Sequence, residues 1–389
     1  MNLQLIQQEL RNQKLDGWLF FDHHARDPLS YRVLGISVAK PPSRRWYYMI
    51  PAEGEPTGME HRIERGVLGA LPGERIPYSS WAEQLAGIRK LTAGMRRVAM
   101  QYSPMCAIPY VSTVDAGTVE LVRSAGVEVA SSAELIQVFE ARWTPEALES
   151  HLEAGRRVDR ARAGAFALIH ERTRNGAPLS EVDVKLLVRD AFAKAGLITD
   201  SGPIVGANAN ASNPHYEPTE ESTAAIRSGD WVLLDMWAKL DQPDAVYYDI
   251  TWTAYCGDNP PDKIRNVFAA VTGARDAAIR RVQDAVAARR PLCGWEVDDA
   301  ARDYIRSRGY GEWFTHRTGH SIGQEVHGNG ANMDNFETHD ERRVSPWTCF
   351  SIEPGVYLPE FGVRSEVNMF VGDNDARVTG EIQREMALL

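Results

Sequence analysis

The spacing of hydrophobic and polar positions divides the chain into two unlike parts. Apolar residues three and four apart from Leu3 to Gln13 predict an amphipathic helix. The apolar runs Gly17 to Phe21, Trp46 to Ile50 and Arg97 to Gln101 predict strands, and Ser112 to Ser124 predicts another helix. This alternation, without internal repeats, predicts an α/β domain over residues 1–142. Its end is marked at Arg142-Trp143-Thr144-Pro145-Glu146, where Thr144 can cap a helix that Pro145 begins.

Residues 143–389 read differently. A long periodic stretch reaches about His170, and a second helix from about Ser180 to Ala195 follows the turn Asn175-Gly176-Ala177-Pro178. Strand-like runs at Trp231 to Met236 and Ala245 to Tyr255 give way to helices over about Asp262 to Ala288 and Val297 to Arg308. Strand-like runs return between Thr348 and Val371. Helices packed on one face of an antiparallel sheet are the economical α+β reading of this half.

A length of 389 residues fits two domains, each able to bury its own core. The formal charge of −10 excludes a global basic field that would attract nucleic acid or an anionic membrane, so a small-molecule partner is expected. Cys106, Cys256, Cys293 and Cys349 lie far apart without C-x-x-C spacing, which predicts reduced thiols and neither a disulfide framework nor a thiolate zinc site. The start M-N-L-Q-L-I-Q-Q-E-L has no basic segment leading into a long apolar one, and no other run approaches membrane-spanning length. A cytoplasmic protein is expected.

Candidate chemistry sits in the second part. Asp235 ends W-V-L-L-D and Asp249 lies in V-Y-Y-D-I-T-W-T, so a hairpin can bring both carboxylates to one rim. Taken singly, each aspartate can also be no more than a strand end. His320 lies in T-H-R-T-G-H-S-I-G, with His316 before it and His327 after it, three of the ten histidines of the chain within twelve residues. Gly319-His320-Ser321-Ile322-Gly323 also fits the G-x-S-x-G nucleophile elbow, which needs a preceding buried strand and a following helix. Glu353 in F-S-I-E-P-G-V-Y and Glu366 in G-V-R-S-E-V fall within apolar strands, where an acid is costly unless paired or metal-bound. Arg364 offers Glu366 a structural ion pair, whereas Glu353 has no such local partner. Together Asp235, Asp249, His320, Glu353 and Glu366 form an oxygen-rich set suited to two divalent ions sharing bridging ligands. Such a set fits manganese, cobalt or zinc better than a closed structural zinc site.

These motifs, with N-P-H-Y-E-P at Asn213 to Pro218, H-R-T-G-H-S-I-G-Q-E-V-H and D-W-V-L-L-D-M-W, resemble the pita-bread metallopeptidases. That family includes methionine aminopeptidase, aminopeptidase P and Xaa-Pro dipeptidase. The long N-terminal domain resembles the Xaa-Pro-cleaving branch, which implies a creatinase-N-like first domain, a curved antiparallel sheet with flanking helices in the second, and a homodimer. The resemblance implies that Asp235 and Asp249 bind metal with Asp249 bridging, that His320 and Glu353 each complete one ion's shell, and that Glu366 bridges. It implies further that His215 and His327 contact substrate and the tetrahedral intermediate, that His316 lines the pocket, and that Arg364 positions the site or binds a carboxylate.

Two departures stand out: fourteen positions separate Asp235 from Asp249, a longer interval than the family usually has, and D-M-W and R-S-E-V replace the customary D-x-G and R-I-E-D. The implied reaction is hydrolysis of the bond before proline in Xaa-Pro dipeptides, by a water or hydroxide bridging two ions, Mn2+ first with Co2+ or Zn2+ as alternatives. Aminopeptidase P action on longer Xaa-Pro-Yaa peptides, a metal-free creatinase-like hydrolase and a non-catalytic binding protein are the alternatives. A carboxylate-binding group is expected from Arg364, His316 or an arginine of the first domain. The loop Asp22-His23-His24-Ala25-Arg26-Asp27-Pro28 can cap the pocket or be a polar surface turn.

Overall fold

A computed structural model describes residues 1–37 and 40–389, which form two compact units, Met1–Glu140 and Ala141–Leu389. In the first unit the elements run α1 (Leu3–Asn12), β1 (Gly17–Asp22), α2 (Pro28–Leu34), β2 (Trp46–Pro51), β3 (Thr57–His61), β4 (Glu74–Tyr78) and α3 (Trp81–Leu91). They continue through β5 (Arg97–Met100), α4 (Ala116–Arg123), β6 (Glu128–Ser131) and α5 (Ala133–Ile136). The strands make one mixed sheet in the order β4-β3-β2-β1-β5-β6. Because strand side chains alternate faces, Trp18 and Phe20 of β1 enter one core and Leu19 and Phe21 the other. This sandwiching of a central strand explains why Gly17 to Phe21 reads as a continuous apolar run.

The loop after β1 is strained and firmly held. His24 and Ala25 both have positive φ, at 67° and 55°. The Asp22 carboxylate accepts the N–H groups of Ala25, Arg26 and Asp27 and the Tyr31 hydroxyl, so the turn is fixed by one buried acid.

The second unit begins with α6 (Pro145–Arg174), α7 (Glu181–Lys194), β7 (Leu197–Ile198), β8 (Ile204–Ala207), β9 (Trp231–Leu240) and β10 (Tyr248–Tyr255). Then come α8 (Asp262–Ala287), α9 (Gly294–Ser307), β11 (Ser321–Ile322), β12 (Thr348–Ile352), β13 (Gly355–Leu358), β14 (Phe361–Arg364), β15 (Val367–Val371), β16 (Ala376–Thr379) and β17 (Ala387–Leu388). Thr144 caps α6 by accepting the Ala147 N–H at 3.2 Å, with Pro145 in the first turn where its missing donor costs nothing.

The strands divide among several hydrogen-bonded sheets. β9 pairs with β7, β8 and β10, β10 also pairs with β17, β12 sits between β11 and β15, and β13 and β14 form a separate hairpin. The helices follow this division. Val232, Leu234, Met236 and Ala238 of β9 pack in one core with α6 and α7. Trp231 and Leu233, on the opposite face, join a second core with α8, α9 and the later strands. Asp235 and Trp237 share that second face, so the polar site opens where β9 leaves this core.

Candidate metal centre

The β9–β10 register sets the first part of the site. Thr251 lies directly opposite Asp235, and Asp249 directly opposite Trp237, so all four project from one face. A hairpin therefore does bring both aspartates together, offset by one alternate position. Asn368 of β15 clamps the backbone of Asp249 from both sides, its Oδ1 accepting the N–H at 3.1 Å and its Nδ2 donating to the carbonyl at 2.8 Å. The Glu366 N–H donates to the Thr251 carbonyl at 3.1 Å, which carries its carboxylate to the same face.

His320 arrives from a segment braced by α9. Asp298, fully buried, accepts a bidentate Arg302 contact together with the Thr318 N–H, the Thr318 hydroxyl and the Asn335 N–H. Arg302 in turn donates to the carbonyls of Phe314 and His316, so the helix fixes the histidine segment by charge-assisted bonds. Gly319 permits the final approach: a Cβ there would stand 1.9 Å from the Ser351 carbonyl oxygen. Ser351 Oγ receives the His320 N–H at 2.9 Å and donates to Glu353 Oε1 at 3.2 Å, tying two candidate ligands together.

Among the described residues, ligand atoms of Asp249, His320 and Glu366 lie within 4.8 Å of one another. His320 Nε2 is 3.5 Å from both Asp249 Oδ2 and Glu353 Oε1. Asp235 and Glu353 flank this trio. Arg364 contacts Asp235 Oδ2 at 2.5 Å through Nη2, Thr251 Oγ1 at 3.0 Å through Nε and the Tyr357 hydroxyl at 3.1 Å through Nη1. The alternative Arg364–Glu366 ion pair is thus replaced by an Arg364–Asp235 pair, because Thr251 stands between them, its Oγ1 2.9 Å from Asp235 Oδ1 and 2.8 Å from Glu366 Oε2.

Burial, and then the neighbouring carboxylates, raise Asp249 and Glu366 well above the usual acid range. Glu353 is raised too, first by burial, with His320 and Arg364 opposing. Asp249 Oδ1 and Glu366 Oε1 are buried and have no hydrogen-bond partner. Orphaned anionic oxygens are costly in a low-dielectric interior, and this crowding of acids fits divalent cations better than any neutral ligand.

His327 stands edge-on to His320 with ring centroids 4.3 Å apart. Its pKa is pushed down to about 3, first by His320 and then by burial, while His215 is exposed in the segment after β8. His316 is held neutral, at about 3, by burial and by Arg364, and its Nε2 is 2.7 Å from the Tyr357 hydroxyl. The sequence reading did not single out Thr251, Ser351, Tyr357 or Asn368. Thr251 lies within V-Y-Y-D-I-T-W-T, Ser351 and Tyr357 lie within F-S-I-E-P-G-V-Y, and Asn368 directly follows G-V-R-S-E-V.

The nucleophile elbow is overturned. Ser321 is only 2% exposed, lies in a two-residue strand paired to β12, and is followed by turns in place of a helix.

Residues 149–373 match the model of metallopeptidase family M24. The chain belongs to this family. It is 31% identical over 240 residues to an Xaa-Pro dipeptidase of Lactobacillus helveticus, covering 61% of this chain and 59% of that one. An Xaa-Pro dipeptidase of Pyrococcus furiosus is 27% identical over 244 residues, covering 62% and 64%. The chain thus spans less than two thirds of these relatives' length. Among solved structures, dipeptidase PepE from Mycobacterium ulcerans superposes with a TM-score of 0.67 at 23% identity, over 99% of this chain and 96% of that one. An Xaa-Pro dipeptidase from Bacillus anthracis gives 0.63 at 21%, over 100% and 99%. These likenesses establish the pita-bread fold.

Proposed function

We propose that the chain is a dinuclear metallopeptidase that hydrolyses the bond before proline, acting on Xaa-Pro dipeptides. The observation that carries this reading is the pair of buried, partnerless oxygens, Asp249 Oδ1 and Glu366 Oε1, beside His320. In it, Asp235, Asp249, His320, Glu353 and Glu366 would hold two divalent ions, Mn2+ first and Co2+ or Zn2+ otherwise. Bound there, the ions supply Lewis acidity and lower the pKa of water toward neutrality. The Xaa-Pro preference draws on the printed names of the relatives.

The chain's own groups do the rest. Glu353, oriented by the Ser351 hydroxyl, takes the proton of the attacking water and returns it to the leaving amine. Neutral His327, with His215, donates to the carbonyl oxygen as charge develops on it. Arg364 has every donor nitrogen turned to a protein acceptor, which favours a positioning role on Asp235 over direct capture of a substrate carboxylate. His316, bonded to Tyr357, lines the pocket beside it. A cytoplasmic homodimer belongs to the same proposal; no described helix is long and apolar enough to cross a membrane.

Proline release from Ala-Pro, compared with alanine release from Ala-Pro-Ala by chelator-stripped protein with and without Mn2+, tests this. Metal-dependent cleavage of the dipeptide alone is expected. Cleavage of the tripeptide as well would move the reading to aminopeptidase P, and cleavage of neither would leave a creatinase-like hydrolase or a binding protein.

A further inference from the structure

The D-M-W departure places an indole beside the candidate metal centre. Trp237 follows Asp235 by two residues, about 7 Å along the strand on the same face, and sits directly opposite Asp249. Its ring is not free to swing away. Nε1 donates to Asp200 Oδ1 at 2.7 Å. The six-membered ring rests on Gly202, where an added Cβ would meet Cη2 at 2.6 Å and Cζ2 at 2.8 Å. Gly202 has φ +67°, so its lack of a side chain serves both the backbone and the ring. The next residue on this face, Lys239, donates to the Gln324 carbonyl at 2.6 Å, and the Tyr247 N–H donates to the Gly323 carbonyl at 2.9 Å. The indole wall and the segment leading to His327 are therefore joined.

Charge varies along β9. At the Asp235 end the Arg364 guanidinium offsets an acid, while at the Trp237 end Asp200 adds one, held against the indole N–H. A zwitterionic dipeptide lying along this strand is drawn with its ammonium toward Asp200, which sets the side chain before proline against the indole.

We propose that Trp237 is the specificity-determining residue for the substrate position before proline, limiting it to small side chains, with Asp200 the positioning residue that holds the ring in place. This rests on the Xaa-Pro reading above. The test is kcat/KM for Gly-Pro, Ala-Pro, Leu-Pro and Phe-Pro with the Mn2+-loaded wild type, Trp237→Gly, Trp237→Leu, Asp200→Ala and Asp200→Asn, each checked by thermal unfolding. Both Trp237 variants should raise the Phe-Pro to Ala-Pro ratio by at least roughly tenfold, the order of change that one methylene of fit produces. Trp237→Leu serves if the glycine variant does not fold. Asp200→Ala should shift the ratio in the same direction, and Asp200→Asn, which keeps an oxygen for the indole N–H but not the charge that draws the ammonium, should shift it less. Variants that change all four substrates by one common factor overturn the assignment while leaving the Xaa-Pro reading intact. A wild type that releases proline from none of the four overturns both.

Discussion

His151 lets the pH dependence of stability be worked from a single side chain. It lies on α6 with no solvent exposure, its Nδ1 2.7 Å from the Tyr247 carbonyl and its Nε2 2.7 Å from Thr379 Oγ1. A carbonyl can only accept, so Nδ1 carries the proton and Nε2 accepts from the threonine hydroxyl. The neutral ring satisfies both bonds, and a second proton would displace the threonine donor inside the core. Burial accordingly pushes the pKa from 6.5 down to about 4.

In the window between those values the unfolded chain binds a proton that the folded protein rejects. The histidine's contribution is thus complete above pH 6.5 and is lost as pH falls toward 4. The loss reaches roughly 2 kcal/mol by pH 5 and about 3 kcal/mol on approaching pH 4, at about 1.4 kcal/mol per pKa unit. Asp249 and Glu366, whose pKa values are raised, act in the opposite sense, so the informative quantity is a difference from a variant. His151→Asn keeps a donor near Nδ1 and cannot titrate. Urea unfolding of both proteins in chelator, from pH 7 to 4.5, should show the wild-type advantage shrinking by roughly 2 kcal/mol or more. Parallel stability profiles for the two proteins would refute a buried neutral His151.

Three further outcomes are expected. Glu353→Gln should lower kcat by at least about a hundredfold while metal analysis still finds bound ions, and near-native turnover would remove Glu353 from its proton-carrying role. Asn368→Ala removes both side-chain bonds to the Asp249 backbone and should weaken Mn2+ binding by roughly 10–100-fold in calorimetric titration. Gly319→Ala drives a methyl group toward the Ser351 carbonyl, so its unfolding free energy should fall by about 3 kcal/mol or more, with unchanged stability contradicting the close approach.

Much of this was legible in the sequence because it is written in local chemistry. Helix α6 was announced by Thr144 and Pro145, which act on their own turn. An acid inside an apolar strand has few reasons to be there, which drew attention to Asp235, Asp249, Glu353 and Glu366 before any contact was known. D-M-W in place of D-x-G marks Trp237 as unusual but gives no direction for its ring.

What the tertiary structure alone decided was partnership. Arg364 sits two residues from Glu366 yet pairs with Asp235, because the β13–β14 hairpin delivers it to β9 while the Thr251 hydroxyl occupies the space between them. Register likewise set Trp237 against Asp249 and left Asp200 to fix the indole, through contacts 37 residues apart. The division of helices between two cores was hidden for the same reason. Alternating residues of β9 serve opposite faces, and an apolar run does not reveal which helix covers each one. Strand composition follows from burial on either side, whereas the identity of a neighbour across a sheet depends on how distant segments close on one another.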